Sequence, residues 1–317
     1  MIPAAMLEPP PTPSSPRTPL RSLNEVLGSI EAVRNGRALY VLLATFAVAG
    51  LLLAMAETAL ARDNALWGAL QGGAALTAAF YGSNAAGLLI MDQTRGQPLR
   101  EVGQALRDAL ATAHRLLVVA LLVLLTLAVL VAALLLPLAA SRLPLVGPWI
   151  FALTVPVGVV LLGAAALGVV AVVAPLAAPA IWAGCGVLEC LRFLREQLRA
   201  RLLHAALLMS AVSLLTAAVA GLVGFVVVSG GRAVAALSVW VVGVDLPPQQ
   251  LMAGLFGYGL RSLGAAGAPV AASAHGMAAL IGGGVVFALA LLLPGLVYLR
   301  GACAVYLALS EEAVGEE

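Results

Sequence analysis

The sequence predicts an all-α membrane protein with six transmembrane helices, arranged as three parallel repeats of an interfacial amphipathic helix plus two spans. Composition is the first ground. Hydrophobic residues make up 62% of the 317, charged residues only 10%, and mean hydropathy is +1.06. A chain so apolar is outside the range of water-soluble domains and belongs in a bilayer. The second ground is a set of six apolar windows, each near the roughly 20 residues that cross about 30 Å of hydrocarbon. The third is where the arginines fall between those windows.

The chain opens on a tail. Residues 1–21 hold seven prolines, "PPPTPSSPRTP" among them, and no apolar core of a signal peptide, so a disordered cytosolic tail is expected. Its PxxP spacing is also that of SH3-type ligands. Residues 22–312 form the membrane domain, and 313–317 an acidic C-terminal tail. The windows run over residues 38–55, 65–91, 116–136, 149–173, 202–228 and 277–299. The third is the clearest, with 16 Leu or Val in 21 positions, and its insertion is favoured by several kcal/mol at roughly 0.3–0.6 kcal/mol per residue. The second is the most polar, carrying Gln71, Thr77, Tyr81, Ser83 and Asn84 among several glycines.

Arginine placement tests the six-window count. All 17 basic residues are Arg, a bias associated with GC-rich bacterial genomes. If every window crosses, thirteen of them lie on the amino-terminal side and only Arg62, Arg142, Arg232 and Arg261 on the other. By the positive-inside rule both termini are expected in the cytoplasm, here of a bacterial inner membrane. Acidic residues follow the same distribution, twelve against three, so the asymmetry shows only when basic residues are counted alone. Without the second window the alternation collapses.

The run "ECLRFLREQLRARLLHAALL" starts as a charged amphipathic helix and passes without a linker into apolar residues. Leu191, Leu194, Leu198 and Leu202 share one face, while Arg192, Glu196 and Arg199 are spaced to pair on another. Such a helix is expected to lie in the cytoplasmic interface and bend into the fifth span. "REVGQALRDALATAHRLL" precedes the third span in the same way. Aligning Glu101 with Glu189 pairs Leu106 with Leu194, Arg107 with Arg195, Asp108 with Glu196 and Leu110 with Leu198. "SLNEVLGSIEAVRNGRALYV" is a weaker third copy, with Ser22 and Glu25 as its capping box. A two-span unit returns the chain to its starting side, so the three units share one orientation. Arg100, Arg107, Arg115, Arg192, Arg195, Arg199 and Arg201 would then form a collar. It could anchor the protein on anionic lipid headgroups, at roughly 1 kcal/mol per arginine, or on a membrane or cytosolic protein.

"GVLECLRFLREQLRARLLHAALL" before a span, and the ending "YLRGACAVYLALSEEA", resemble the six-span membrane domain attached to some bacterial glycerophosphodiester phosphodiesterases and its stand-alone relatives. The resemblance covers about residues 22–312 and implies a six-span domain with no catalytic residues of its own, because those enzymes carry their active site in a separate soluble barrel that does not occur in this sequence. Residues 229–276 depart from the pattern. "AVAALSVWVVGV" is too short to cross and too apolar for water, and "QQLMAGLFGYGLRSLG" places Leu251, Leu255 and Leu260 on one side. This outer segment is expected to lie on the membrane surface or fold back over the bundle.

Catalytic chemistry finds little footing. The spans hold no central ionisable group of the kind that marks proton-coupled or catalytic membrane sites. Glu57 reads as an interfacial acid near Arg62. Asn84, with Tyr81 and Ser83, is the best candidate for a buried polar cluster, explained either by interhelical hydrogen bonds or by a polar path. The histidines at 114, 204 and 275 are dispersed. Cys185, Cys190 and Cys303 all map to the arginine-rich side, where free thiols are expected. Gly68, Gly72, Gly73, Gly82 and Gly282–Gly284 suit close helix packing, and Pro156 and Pro294 suit kinks. Nucleotide and nucleic-acid motifs do not occur. No cofactor or metal is expected. The reading is a non-enzymatic scaffold or accessory subunit in the bilayer, or alternatively a permease or channel for lipids or small hydrophobic solutes.

Overall fold

In the computed structural model, the described residues are 34–242 and 274–314, together with Ser29. The fold is an all-α membrane protein. Six helices are long and apolar enough to cross a membrane, and no strand occurs among the described residues. In chain order they are α1 (Gly36–Ala61), α2 (Ala65–Thr94), α3 (Val102–Ala140), a composite fourth span, α7 (Leu202–Val242) and α8 (Ala274–Val314). The fourth span joins α4 (Gly147–Gly168), a π turn (Val169–Val173) and α5 (Ala174–Trp182), and the short α6 (Val187–Ala200) follows it.

Helices α1 and α2 form a tight hairpin. The Asn35 carboxamide accepts from the Ala38 N–H at 3.1 Å and starts α1; that of Asn64 accepts from the Trp67 N–H at 3.3 Å and starts α2. Each satisfies a donor the first helical turn leaves open. A Cβ at Gly82 would overlap the Thr45 side chain, and one at Gly68 would lie 2.6 Å from Leu60 Cγ. Those two glycines let the backbones approach; Gly72 and Gly73 meet nothing within 4 Å. Gly282–Gly284 fall within α8.

Burial runs opposite to apolarity. The Leu- and Val-rich α3 and α7 are the least buried spans, whereas α2 and α8, the least apolar, are the most buried. Lipid tails are as apolar as leucine, so apolarity gives helices no reason to associate in a bilayer. Small and polar residues do, through close packing and hydrogen bonds. Accordingly α8 packs against α7, α1, α2 and α5, at the centre. Leu121, Leu124, Val129 and Leu135 of α3 stay exposed, as suits a lipid-facing surface.

The core is concentrated at the arginine-rich end. It gathers Leu88–Met91 of α2, Leu176–Trp182 of α5, Cys190 and Leu194 of α6, Leu208–Val212 of α7 and Leu296–Leu309 of α8. The π turn sits at its edge. Pro175 has no N–H to give the carbonyl four residues back, and the Ala174 N–H reaches Val169 O instead, which widens the turn. There Gly168 meets α6 closely: a Cβ on it would lie 2.7 Å from Leu198 Cδ2.

The amphipathic segments differ from one another. The helix at 187–200 is separate, broken from α7 at Arg201, whose φ is −135°. The segment preceding the third span is continuous with it, making α3 a single helix of 39 residues, about 58 Å long at 1.5 Å per residue. Nothing between Glu101 and Leu116 interrupts helical hydrogen bonding, so the helix runs on. Its buried row is Ala105, Ala109 and Ala113; Leu106 is exposed, whereas the aligned Leu194 is buried. Glu101 is the N-cap of α3, whereas Glu189 sits in the third position of α6 and its carboxylate accepts from the Gly186 N–H at 2.8 Å. The first copy, residues 22–33, lies outside the described residues except for Ser29. Of the outer segment, residues 229–242 continue α7 as helix, and 274–276 begin α8; residues 243–273, with Leu251, Leu255 and Leu260, lie outside the described residues, as do the N-terminal tail and 315–317, whereas 313 and 314 of the C-terminal tail close α8.

Candidate functional site

Two places concentrate polar chemistry, the Asn84 region of α2 and the arginine-rich end. Asn84 is only 4% exposed. Its Nδ2 donates to Phe80 O at 2.8 Å, and its Oδ1 accepts from the indole N–H of Trp182 at 2.9 Å. Helix α5 thus delivers a partner 98 residues away. The indole fits because residue 87 is glycine: a Cβ there would overlap the Trp182 ring. Ser83 turns its hydroxyl to Phe80 O at 3.0 Å, and Tyr81 meets the Phe80 ring edge-on at 5.3 Å. Asn84 is therefore engaged inside the bundle, while Tyr81 and Ser83 are half-buried beside it.

At the arginine-rich end, guanidinium groups hold loops together. Arg37 donates to Leu99 O at 2.7 Å and Arg100 O at 3.1 Å, clasping the connection between α2 and α3. Arg95 donates to Ala183 O at 3.2 Å and ties that connection to the one after α5. Gly96 and Gly184 occupy these two turns with φ of 68° and 102°, a region that suits glycine. Arg100 is bidentate on Asp92, at 2.7 and 2.8 Å, and reaches Asp108 at 3.0 Å. The hydrogen bonds to Asp92 raise its proton affinity above the ordinary arginine value. Asp92 itself is 4% exposed, a buried charge that persists because it is paired with good geometry.

The predicted collar residues divide. Arg100 faces carboxylates, and Arg201 sits half-buried in the break between α6 and α7. Arg107 is exposed and donates to Gly103 O at 3.3 Å; Arg115 is half-buried. Arg192, Arg195 and Arg199 are exposed along α6, whose opposite side buries Cys190, Leu194 and Gln197. Gln197 is 0% exposed, and neither its amide nitrogen nor its oxygen has a partner.

No family model, curated protein or solved structure matches this chain.

The three cysteines come to the same end of the bundle. Cys185 lies 3.4 Å from the Tyr306 hydroxyl, whose ring meets Phe193 of α6 edge-on at 5.1 Å. Burial, and then the nearby Cys185, push the Cys190 thiol up to about 11. Among the described residues no three of His, Cys, Asp and Glu are placed to share a metal ion. At the other end Glu57 is exposed, and no ion pair joins it to Arg62.

Sequence reasoning singled out Asn84 and the exposed arginines of α6. It missed Trp182, Gly87, Asp92 and Gln197. Trp182 and Gly87 carry no local signal, since each matters only through the other. Asp92 had one: an acid closing an apolar run, with Arg100 eight residues on.

Proposed function

We propose that this protein is a scaffold or accessory subunit of a bacterial inner membrane, non-enzymatic, with both termini cytoplasmic. Its arginine-rich end would present α6 to a cytosolic or membrane protein, or to anionic headgroups. The observation that carries this reading is the division of α6. One side is locked into the core through Cys190 and Leu194, while Arg192, Arg195 and Arg199 stand exposed. A helix fixed on one face and cationic on the other is a rigid platform for an acidic surface. Engagement of Asn84 by Trp182 and Phe80 further supports a closed bundle over a polar path. The six-span domain of the glycerophosphodiester phosphodiesterases, itself an adjunct to a soluble enzyme, fits the same role.

The test is purification in mild detergent with identification of co-purifying proteins and lipids, repeated on a variant with Arg192, Arg195 and Arg199 all changed to Gln. A partner or anionic lipid retained by the wild type and lost from the variant supports the platform. Identical co-purification profiles would refute it. The alternative, a permease for lipids or small hydrophobic solutes, draws on the π turn and on Pro175 and Pro179 in the fourth span, since such breaks are often functional. Solute uptake by reconstituted vesicles, abolished by mutation around that turn, would favour it.

A further inference from the structure

Helix α6 does not project away from the bilayer. The Cys190 thiol donates to Ala177 O at 3.8 Å, and further along α6 a Cβ on Gly168 would lie 2.7 Å from Leu198 Cδ2. Residues 190–198 therefore run antiparallel to the fourth span, from α5 back to Gly168, which lies inside the apolar window 149–173. Each turn of α6 sits deeper than the last. Arg199, next to Leu198 in the chain, is carried to the level where that span enters hydrocarbon, a depth at which lipid headgroups are nearer than a soluble protein.

Arg192, Arg195 and Arg199 fall within about 60° of one another around a helix of about 3.6 residues per turn. All three are exposed. Glu196 has the i,i+4 spacing to Arg192 and the i,i+3 spacing to Arg199 at which pairing is expected, yet among the described residues none of these four side chains makes an ion pair. The row is three open guanidiniums. One of them suffices for the phosphate of any phospholipid, and the other two repel the ammonium of a zwitterionic headgroup, so the row selects a lipid of net negative charge.

Past this row the chain breaks at Arg201 and α7 begins. Its first exposed side chains are Leu203 and Leu207, at 75% and 71%, on a span that with α3 is the least buried of the six. Such a surface faces acyl chains. Arg199 and Leu203 are at most about 14 Å apart along even an extended chain, so one phospholipid reaches from guanidinium to leucine.

We propose, on the platform reading given above, that the occupant of this row is an anionic phospholipid of the leaflet at the arginine-rich end. Its phosphate meets Arg195 and Arg199, Arg192 adds a further positive charge, and its acyl chains lie along Leu203 and Leu207.

The experiment uses the full-length protein in mild detergent, exchanged into an equimolar mixture of phosphatidylglycerol and phosphatidylethanolamine with identical acyl chains, and reads the lipids retained by native mass spectrometry. The wild type is expected to retain phosphatidylglycerol at least about fivefold over phosphatidylethanolamine, the factor of a single arginine near an anionic surface. The combined variant R192Q/R195Q/R199Q should bring the ratio close to one, while R62Q/R142Q, which removes arginines from the opposite end, keeps it. Leu188, 68% exposed at the start of α6, lies at the shallow end of the helix, so L188S should also keep it. Equal retention of the two lipids by the wild type overturns the proposal and needs no variant to fold; the platform reading then stands or falls on a co-purifying protein. A preference lost in L188S would move the contact to the end of α6 that a soluble protein reaches, and overturn the lipid assignment. So would displacement of the lipid by soluble glycerophosphoglycerol at equal concentration, which would assign the row to a free phosphate ester.

Discussion

Changing Gly87 to Ala places a methyl where the Trp182 indole lies. The ring is also tethered to the same helix by its hydrogen bond to Asn84 Oδ1 at 2.9 Å, so it cannot retreat from α2 without breaking that bond. Overpacking a core of this kind costs about 1–3 kcal/mol. If the ring swings away instead, an interhelical hydrogen bond of about 0.6 kcal/mol, at most roughly 1.7, is lost, and the buried Asn84 oxygen is left unpaired. Alanine regains about 0.8–1.0 kcal/mol of helix propensity over glycine. The net expectation is a loss of up to about 2 kcal/mol, which is about 1–3 kcal/mol below a glycine-to-alanine change on the same helix that meets no overlap. Gly73 on the same helix provides the control, because a Cβ there meets nothing within 4 Å; Gly73→Ala should gain up to about 1 kcal/mol from propensity alone. Unfolding by sodium dodecyl sulfate titration from mild detergent, followed by circular dichroism and tryptophan fluorescence, separates the two. If Gly87→Ala unfolds within about 0.5 kcal/mol of Gly73→Ala, a difference too small for the overlap described, the packing of α5 on α2 is not as the structure has it.

Asp92→Asn leaves Arg100 with only the more exposed Asp108, and should cost about 1–3 kcal/mol in the same titration; an unchanged midpoint would show that the pair contributes nothing. Gln197→Leu removes a buried amide with no partner, so it should raise stability by at least about 1 kcal/mol. A loss there would mean that the amide is satisfied. Maleimide at pH 8 should modify half-buried Cys185 in the folded protein, and Cys190 and Cys303 only after unfolding. With its thiol held up to about 11, Cys190 is ionised in only about one molecule per thousand at that pH. Mass spectrometry of the labelled peptides checks this, and rapid labelling of Cys190 would contradict its burial.

The spans were legible because crossing a bilayer is a demand on composition, and residues 38–55 or 116–136 meet it locally. Each of the six windows overlaps an observed helix. Partners were not legible. Asn84 stood out as a polar residue in an apolar span, but nothing near it in the chain names Trp182. Gly87 reads like the other glycines of α2, of which Gly68 and Gly82 allow close approach and Gly73 does not. The leucines at 106 and 194 share a sequence pattern and differ in surroundings, because α3 packs through alanines and α6 through Cys190, Leu194 and Gln197. The π turn follows from Pro175, whose missing donor is visible in the sequence, but whether a helix answers with a kink or a wider turn is settled by what packs there, in this case Leu198 of α6.

Orientation is the claim on which the platform reading rests, and labelling intact bacterial cells with a membrane-impermeant maleimide tests it most directly. Leu145, 87% exposed in the connection between α3 and α4, is replaced by Cys, with Cys185 at the arginine-rich end as the internal comparison. Leu145→Cys should be modified in intact cells, and Cys185 only once the membrane is permeabilised. Modification of Cys185 in intact cells, with Leu145→Cys protected, would turn the molecule over and remove the cytoplasmic platform.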